Sequence, residues 1–385
     1  MSIASFNFKL STEIEYGCGS LKKLSDKIFT FNTYKAMIIT DQGIVKVGIL
    51  EKITEQLSQA KVPFTVFDQV EPDPSTKTIE EITFQAKNEG VEILIAVGGG
   101  SPIDAAKGTN ILLGNGGELF AYGGINKVNK KGLPLIAIPT TAGTGSEVTI
   151  FAVLRDIDRN LKFTITSPLI APDLALLDPE LTLSLPPMIT GATGMDALTH
   201  AVEAYTSVKS NSLSDMLAIE AIRLIFRYLP RAVCNGKDLE ARSEMFKAQL
   251  LAGIAFNNAF LGLSHAIASP LGSHFHISHG VANSILLPHV MKFNVPALPE
   301  KYAQITSAMG VALNGRDIYE DAFESYKAVE RLAKMCNLPD KLRNVGARED
   351  LLNDVAEDAL KSGMLKLNVR KADQEHIRQI LQEAF

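Results

Sequence analysis

The sequence predicts an α/β N-terminal domain built on a doubly wound parallel sheet, followed by an all-α C-terminal domain. Three observations predict it. Short apolar runs alternate with amphipathic segments through the first half. Two glycine-bearing loops, at 98–101 and 139–147, each follow an apolar run. After Leu183-Ser184-Leu185-Pro186-Pro187 the pattern changes to long stretches of helical periodicity with no strand signal. Strands alternating with helices imply parallel crossover units, and the change of period implies a second domain.

The elements follow in chain order. Residues 35–40 read as a buried strand, 47–61 as a helix and 62–67 as the next strand. Residues 76–89 read as a helix with Ile79, Ile82 and Ala86 on one face. A strand over 91–97 leads into a helix over 102–112, and 133–138 is a further strand. In the second half, Leu213, Met216, Leu217, Leu224 and Tyr228 mark a helix capped by Ser212 or Ser214 and ended by Pro230. Further helices are expected over 239–256, 299–309 and 319–336. The proline pair places the domain boundary so that 1–185 is the nucleotide-type domain and 186–385 the helical one.

Composition bounds the function. With 385 residues, 46% hydrophobic and 21% charged, the chain reads as an ordinary globular protein able to bury large cores. A net charge of -5 argues against nucleic acid or an anionic membrane as partner. No uninterrupted apolar run approaches the ~20 residues of a membrane helix, and the first twenty residues lack a secretory pattern. Cys18, Cys234 and Cys336 are scattered, which fits a reducing cytoplasm and offers no thiolate metal site.

Gly98-Gly99-Gly100-Ser101-Pro102 lies between a strand and a helix. Free N–H groups at a helix start favour an anion, and Pro102 suits the first turn, where its missing N–H costs nothing. A plain glycine turn is the competing reading. Thr140, Thr141 and Thr144 stand in the second loop, at another strand end. Two such loops in one sheet point to a nucleotide crevice. Asp41 closes the 35–40 strand. A carboxylate there binds an adenosine ribose and repels a 2′-phosphate, which favours NAD(H); a helix N-cap is the other reading.

Asp196 and His200 are four apart, on one face of a helix. Four of the seven histidines lie between 265 and 279, in an otherwise apolar stretch. Burying imidazoles without purpose costs desolvation. One carboxylate and the imidazoles of His200, His265 and His279 would hold one divalent ion, Fe²⁺ or Zn²⁺, with a position left for a substrate oxygen. A satisfied surface pair is the competing reading of Asp196 and His200.

Together these stretches resemble the iron-containing (group III) alcohol dehydrogenase family. The resemblance is carried by 98–107, by 139–147, by Gly194-Met195-Asp196-Ala197-Leu198-Thr199-His200 continuing to Tyr205, by 252–266 and by His279-Gly280-Val281-Ala282-Asn283, in family order. It implies an N-terminal nucleotide-binding domain, a helical metal-binding domain, and cofactor and metal meeting between them. It implies Asp196, His200, His265 and His279 as metal ligands, with Fe²⁺ favoured over Zn²⁺. Gly98, Gly99, Gly100 and Ser101 would cradle the pyrophosphate, Asp41 would meet the ribose, and Thr140, Thr141, Thr144 and Lys162 would line the rest of the groove. The implied reaction is hydride exchange between NAD(H) and a small alcohol or aldehyde on the metal, in a homodimer or larger assembly. Members often carry a second histidine four residues after the third ligand, associated with substrate or proton transfer; Ser269 stands there instead. His276, three residues before His279, is the substitute candidate, with His274 beside it. Alternatives on the same fold are a hydroxyacid–oxoacid transhydrogenase and a lyase similar to dehydroquinate synthase.

Overall fold

A computed structural model describes residues 5–159, 161–315 and 317–385. Its chain contacts separate two compact units, one spanning Leu10–Thr141 and Gly145–Ser184, the other mainly Leu185–Phe385.

The first unit runs β1 (Glu13–Tyr16), α1 (Leu24–Thr30), β2 (Ala36–Ile39), α2 (Gln42–Lys46), α3 (Ile49–Gln59), β3 (Phe64–Phe67), α4 (Thr76–Glu89), β4 (Ile93–Gly98) and α5 (Gly100–Asn115). It continues with β5 (Gly124–Ile125), β6 (Leu135–Pro139), β7 (Phe151–Asp156), β8 (Leu161–Thr166) and β9 (Leu174–Leu177). Among the described residues the main sheet is six-stranded, in the order β1-β9-β6-β4-β2-β3, with every pairing parallel. Alternate residues of the central strands feed two cores, as the two-residue period of a strand demands. Met37, Ile39, Leu94, Ala96, Leu135 and Ala137 pack with α4 and α5. Ile38, Ile93, Ile95, Val97, Ile136 and Ile138 pack with α1 and α3. Helices therefore cover both faces, and strands buried on both faces read as continuous apolar runs.

The chain leaves β2 for β3 on one side and returns to β4 on the other. Crossovers of opposite sense diverge there, and ligands of open parallel sheets collect at the strand C-terminal ends of such a point. Asp41 follows β2 and the glycine loop follows β4. A smaller sheet, β5-β8-β7, contains an antiparallel β7/β8 hairpin that the apolar pattern did not announce, as it did not announce β1 or β9.

The second unit is helical: α6 (Pro187–Thr206), α7 (Ser212–Cys234), α8 (Leu239–Ala259), α9 (Leu263–Phe275), α10 (His279–Asn294), α11 (Pro299–Ala308), α12 (Ile318–Met335), α13 (Leu352–Leu360) and α14 (Gln374–Ala384). Two expectations are corrected. The cap of α7 is Asn211, whose side chain accepts from Leu213 and Ser214 N–H while Ser214 bonds back to the Asn211 N–H. Pro230 does not end α7, which continues to Cys234. Its missing N–H forgoes one helix bond, but Leu229, Ala232 and Val233 are buried around it, and that packing carries the last turn. No single helix among the described residues is long and apolar enough to cross a membrane.

Candidate metal centre and cofactor loops

Three helices of the second unit supply the cluster. Asp196 and His200 lie one turn apart on α6, His265 lies in the first turn of α9, and His279 opens α10. The ligand atoms of Asp196, His265 and His279 all fall within 4.8 Å of one another. His265 Nε2 is 3.8 Å and His279 Nε2 3.6 Å from Asp196 Oδ1, and His200 Nε2 is 4.0 Å from Asp196 Oδ2. The His200 ring stacks on His265 with centroids 4.7 Å apart. The structure thus brings all four candidates together. The His279 side chain is 39% exposed, against 4–6% for the other three, so the cluster opens to solvent at His279.

Burial would raise the Asp196 carboxyl, but His200, His279, His265 and Asn283 outweigh it and hold it below the ordinary value. Burial pushes His200 down to about 4, so its imidazole is neutral near pH 7. An ionised carboxylate together with imidazole nitrogens is the donor set a divalent cation requires, the rings giving up any proton as it binds. His200 Nδ1 is a buried polar atom with no hydrogen-bond partner. These residues fit a cation.

Two residues here escaped the sequence reasoning. Glu203, a further turn along α6, accepts from Gly262 N–H at 2.9 Å and Ser264 N–H at 2.6 Å, and meets His265 Nδ1 at 2.7 Å. It caps α9 from another helix and fixes the ring of a candidate ligand in one contact set. Burial opposes charge on both partners, yet each sustains the other: Glu203 stays below and His265 above the ordinary value. Asn283, four residues after His279, lies 2.8 Å from Asp196 Oδ1. The spacings 196/200/203 and 279/283 were the available signal, since each set shares a helix face. Helix α10 reaches α6 at Gly280, where a Cβ would lie 2.3 Å from the Ala192 carbonyl oxygen.

Ser269 is half-buried on α9, one turn beyond His265. His276 caps the C-terminus of α9 in the left-handed region (φ 56°) and is exposed; none of the cluster's ion pairs or ring contacts among the described residues includes it. His274 Nε2 instead meets Asp358 Oδ2 of α13 at 2.8 Å.

In the first unit Gly99 is the N-cap of α5, and among the described residues no side chain caps that start. Its early N–H groups suit a phosphate. Gly98 has φ +144°, and a Cβ there would lie 2.7 Å from Pro102 Cγ, so backbone and packing both demand glycine. Asp41 caps α2, its Oδ1 accepting from Gly43 and Ile44 N–H. Its Oδ2 would stand 3.2 Å from a Cβ at Gly98, so the cap aims the second oxygen at the glycine loop. Thr140 N–H donates to the Gly98 carbonyl, and a Cβ on Gly99 would lie 3.4 Å from Thr141 Oγ1. Lys162 Nζ is 2.7 Å from Asp73 Oδ1, and the Asp73 N–H donates to Ser101 Oγ at 3.3 Å. Thr144 belongs to positions 142–144, which pack with the helical unit, where a Cβ on Gly143 would lie 2.7 Å from Thr193 Cβ.

Behind these loops lies a buried node. Lys107 Nζ, in α5, donates to Ser146 Oγ (3.1 Å), Thr149 Oγ1 (3.3 Å) and the Phe151 carbonyl (2.6 Å), with Asp104 Oδ1 3.8 Å away. Burial pulls Lys107 down to about 8, against the pull of Asp104 and Glu147.

The chain matches the family models "Iron-containing alcohol dehydrogenase" over residues 11–179 and "Fe-containing alcohol dehydrogenase family, C-terminal" over 190–385. It is 39% identical to 1,3-propanediol dehydrogenase of Klebsiella pneumoniae over 387 residues, covering 100% of both chains. It is 36% identical to NAD-dependent methanol dehydrogenase of Bacillus methanolicus, covering 98% of this chain and 100% of that one. The crystal structure of a 1,3-propanediol oxidoreductase superposes with a TM-score of 0.97 at 39% identity, covering 99% of this chain and 100% of that one. These matches favour neither the transhydrogenase nor the lyase reading. The chain belongs to the iron-containing alcohol dehydrogenase family and is a nicotinamide-linked alcohol dehydrogenase.

Proposed function

We propose that one divalent cation, Fe²⁺ in preference to Zn²⁺, is held by Asp196, His200, His265 and His279, and that the enzyme interconverts small primary alcohols or diols with their aldehydes. The observation that carries this reading is the convergence of one ionised carboxylate and three imidazoles from three helices. When bound, the cation polarises the substrate oxygen and the nicotinamide carries the hydride.

The chain's own residues do the rest. Asp196 supplies the anionic donor, and the burial of His200 keeps its lone pair unprotonated. The opening at His279 gives a small substrate its approach. The pyrophosphate is assigned to Gly98, Gly99, Gly100 and Ser101 at the start of α5, with Thr140, Thr141, Thr144 and Lys162 along the groove. Asp41 Oδ2 is assigned to the ribose, which selects NAD(H) over NADP(H). Ser269 and His276 are assigned the proton route. His276, the C-cap of α9, follows Ser269 by seven residues, about 10 Å along a helix axis, a gap that water must bridge. We place the protein in the cytoplasm, where free Cys18, Cys234 and Cys336 stay reduced, as a homodimer or larger homo-oligomer. The first unit acts as the nucleotide domain and the helical unit as the metal and substrate domain.

The test is His265→Ala. It should remove most bound cation and most turnover while leaving helical content intact; full metal content and activity would refute the assignment. A panel of aldehydes assayed with NADH and Fe²⁺ or Zn²⁺ reads the substrate and the metal, and Asp41→Gly should move preference toward NADPH.

A further inference from the structure

We propose that Asn283 is a positioning residue: it holds the Asp196 carboxylate at one rotation, so that a cation receives one of its oxygens and a coordination position stays open for substrate. The inference rests on the cation reading above.

Asn283 is fully buried on α10, one turn after His279. Its Nδ2 lies 2.8 Å from Asp196 Oδ1 and 3.2 Å from both His265 Nε2 and His279 Nε2. Its Oδ1 accepts from the Ser264 hydroxyl at 3.2 Å, at the buried start of α9. The two ends of an amide are alike in shape, so chemistry must decide which end faces the cluster.

Glu203 decides it. Both of its oxygens already accept backbone N–H bonds, and an ionised carboxylate can only accept. The His265 Nδ1 beside it must therefore donate, so the neutral ring that a cation would meet carries its lone pair on Nε2. Asp196 Oδ1, a carboxylate oxygen, lies 2.8 Å from the amide nitrogen. The groups facing Asn283 from α6 and α9 are then acceptors, and only an NH₂ satisfies them. The amide oxygen is left to Ser264. At 2.8 Å against 3.2 Å for the two imidazole nitrogens, Asp196 Oδ1 is the shortest of these contacts, and as a carboxylate oxygen it takes the stronger bond.

A carboxylate without that bond is free to turn and offer both oxygens to one ion. The second oxygen would occupy the position that an alcohol or aldehyde needs. Asn283 is thus set to control access at the cation without being one of its ligands.

The experiment uses the full chain loaded with Co²⁺, whose visible bands weaken as its coordination number rises. In the wild type, adding a small primary alcohol should perturb the bands. Asn283→Ala should show weaker bands and need about 10-fold more alcohol for the same perturbation, the usual scale for losing an outer partner of a metal ligand. Ser264→Ala, which frees the amide oxygen without touching the Asn283 side chain, should shift both readouts in the same direction by less. Folded Asn283→Ala with wild-type bands and an unchanged alcohol titration overturns the proposal. If Asn283→Ala does not fold, the same null result in Ser264→Ala overturns it. A wild type that takes up no Co²⁺ instead sinks the cation reading itself, which separates the two failures.

Discussion

Replacing Glu203 with glutamine changes one atom and breaks a set of contacts that only a carboxylate completes. Glu203 Oε2 faces Gly262 N–H at 2.9 Å and His265 Nδ1 at 2.7 Å; Oε1 faces Ser264 N–H at 2.6 Å and His265 N–H at 3.4 Å. Every partner is a donor or, in the case of Nδ1, is made one. Glutamine offers one accepting oxygen and an NH₂, so one pair of donors must face other donors. The less costly orientation turns the NH₂ toward Ser264 and the long 3.4 Å contact. A buried donor left unmade costs about 1–3 kcal/mol, so the total is about 3 kcal/mol. For a unit of this size each kcal/mol lowers the melting temperature by about 2–4 °C, giving a fall of about 6–12 °C. The other orientation favours a proton on His265 Nε2 and removes the lone pair that the proposed cation site takes from it. Either way, cation affinity should fall by about 10–100-fold. The assays are thermal melting followed by circular dichroism, and cation competition against a chromophoric chelator. A variant that melts within about 1 °C of wild type and binds its cation equally tightly would refute the reasoning.

Three further outcomes follow from other sites. Lys107→Met leaves the Asp104 carboxylate without its buried cation and Ser146, Thr149 and the Phe151 carbonyl without a shared donor; denaturant unfolding should show a loss of about 3 kcal/mol. Gly280→Ala puts a methyl group 2.3 Å from the Ala192 carbonyl, so α10 must move off α6. That should cost about 1–3 kcal/mol in denaturant unfolding and loosen the cation by carrying His279 away from Asp196. Burial and the neighbouring Lys341 push His289 down to about 4, with Glu383 opposing and Lys292 adding to the fall. The unfolded chain binds that proton below about pH 6.5 while the folded chain refuses it to about pH 4. Stability should therefore fall by about 3 kcal/mol as pH drops through that window, and His289→Gln should flatten the fall; equal acid-unfolding profiles would refute the assignment.

The fold was legible where burial made the sequence redundant. Strands such as Ile93–Gly98 are buried throughout, so their run of apolar residues admits few other readings. The β7/β8 hairpin was hidden because its strands carry Arg155, Asp156 and Lys162 on a half-exposed sheet. The end of α7 was misread because local proline chemistry was weighed without the packing that overrides it. For Asp41, the helix cap and the aim at the glycine loop are both present, since the two oxygens do different work.

The site shows the same division at finer grain. Asp196, His200, His265 and His279 stood out because histidines and acids are rare in apolar helices. Glu203 and Asn283 share helix faces with them, but spacing along one helix does not reveal a partner on another. The contacts run crosswise: Glu203 of α6 holds His265 of α9, Asn283 of α10 holds Asp196 of α6, and Ser264 of α9 holds Asn283. Each helix that carries a donor also restrains a group on a neighbour. A substitution at any of the three should therefore disturb donors on a helix it does not belong to, and the effects of Glu203→Gln and Ser264→Ala in one chain should depart from additivity by about 0.5–3 kcal/mol in cation affinity, as groups in one network do. Strict additivity would mean that the braces act separately and that the three helices are placed by their apolar packing alone.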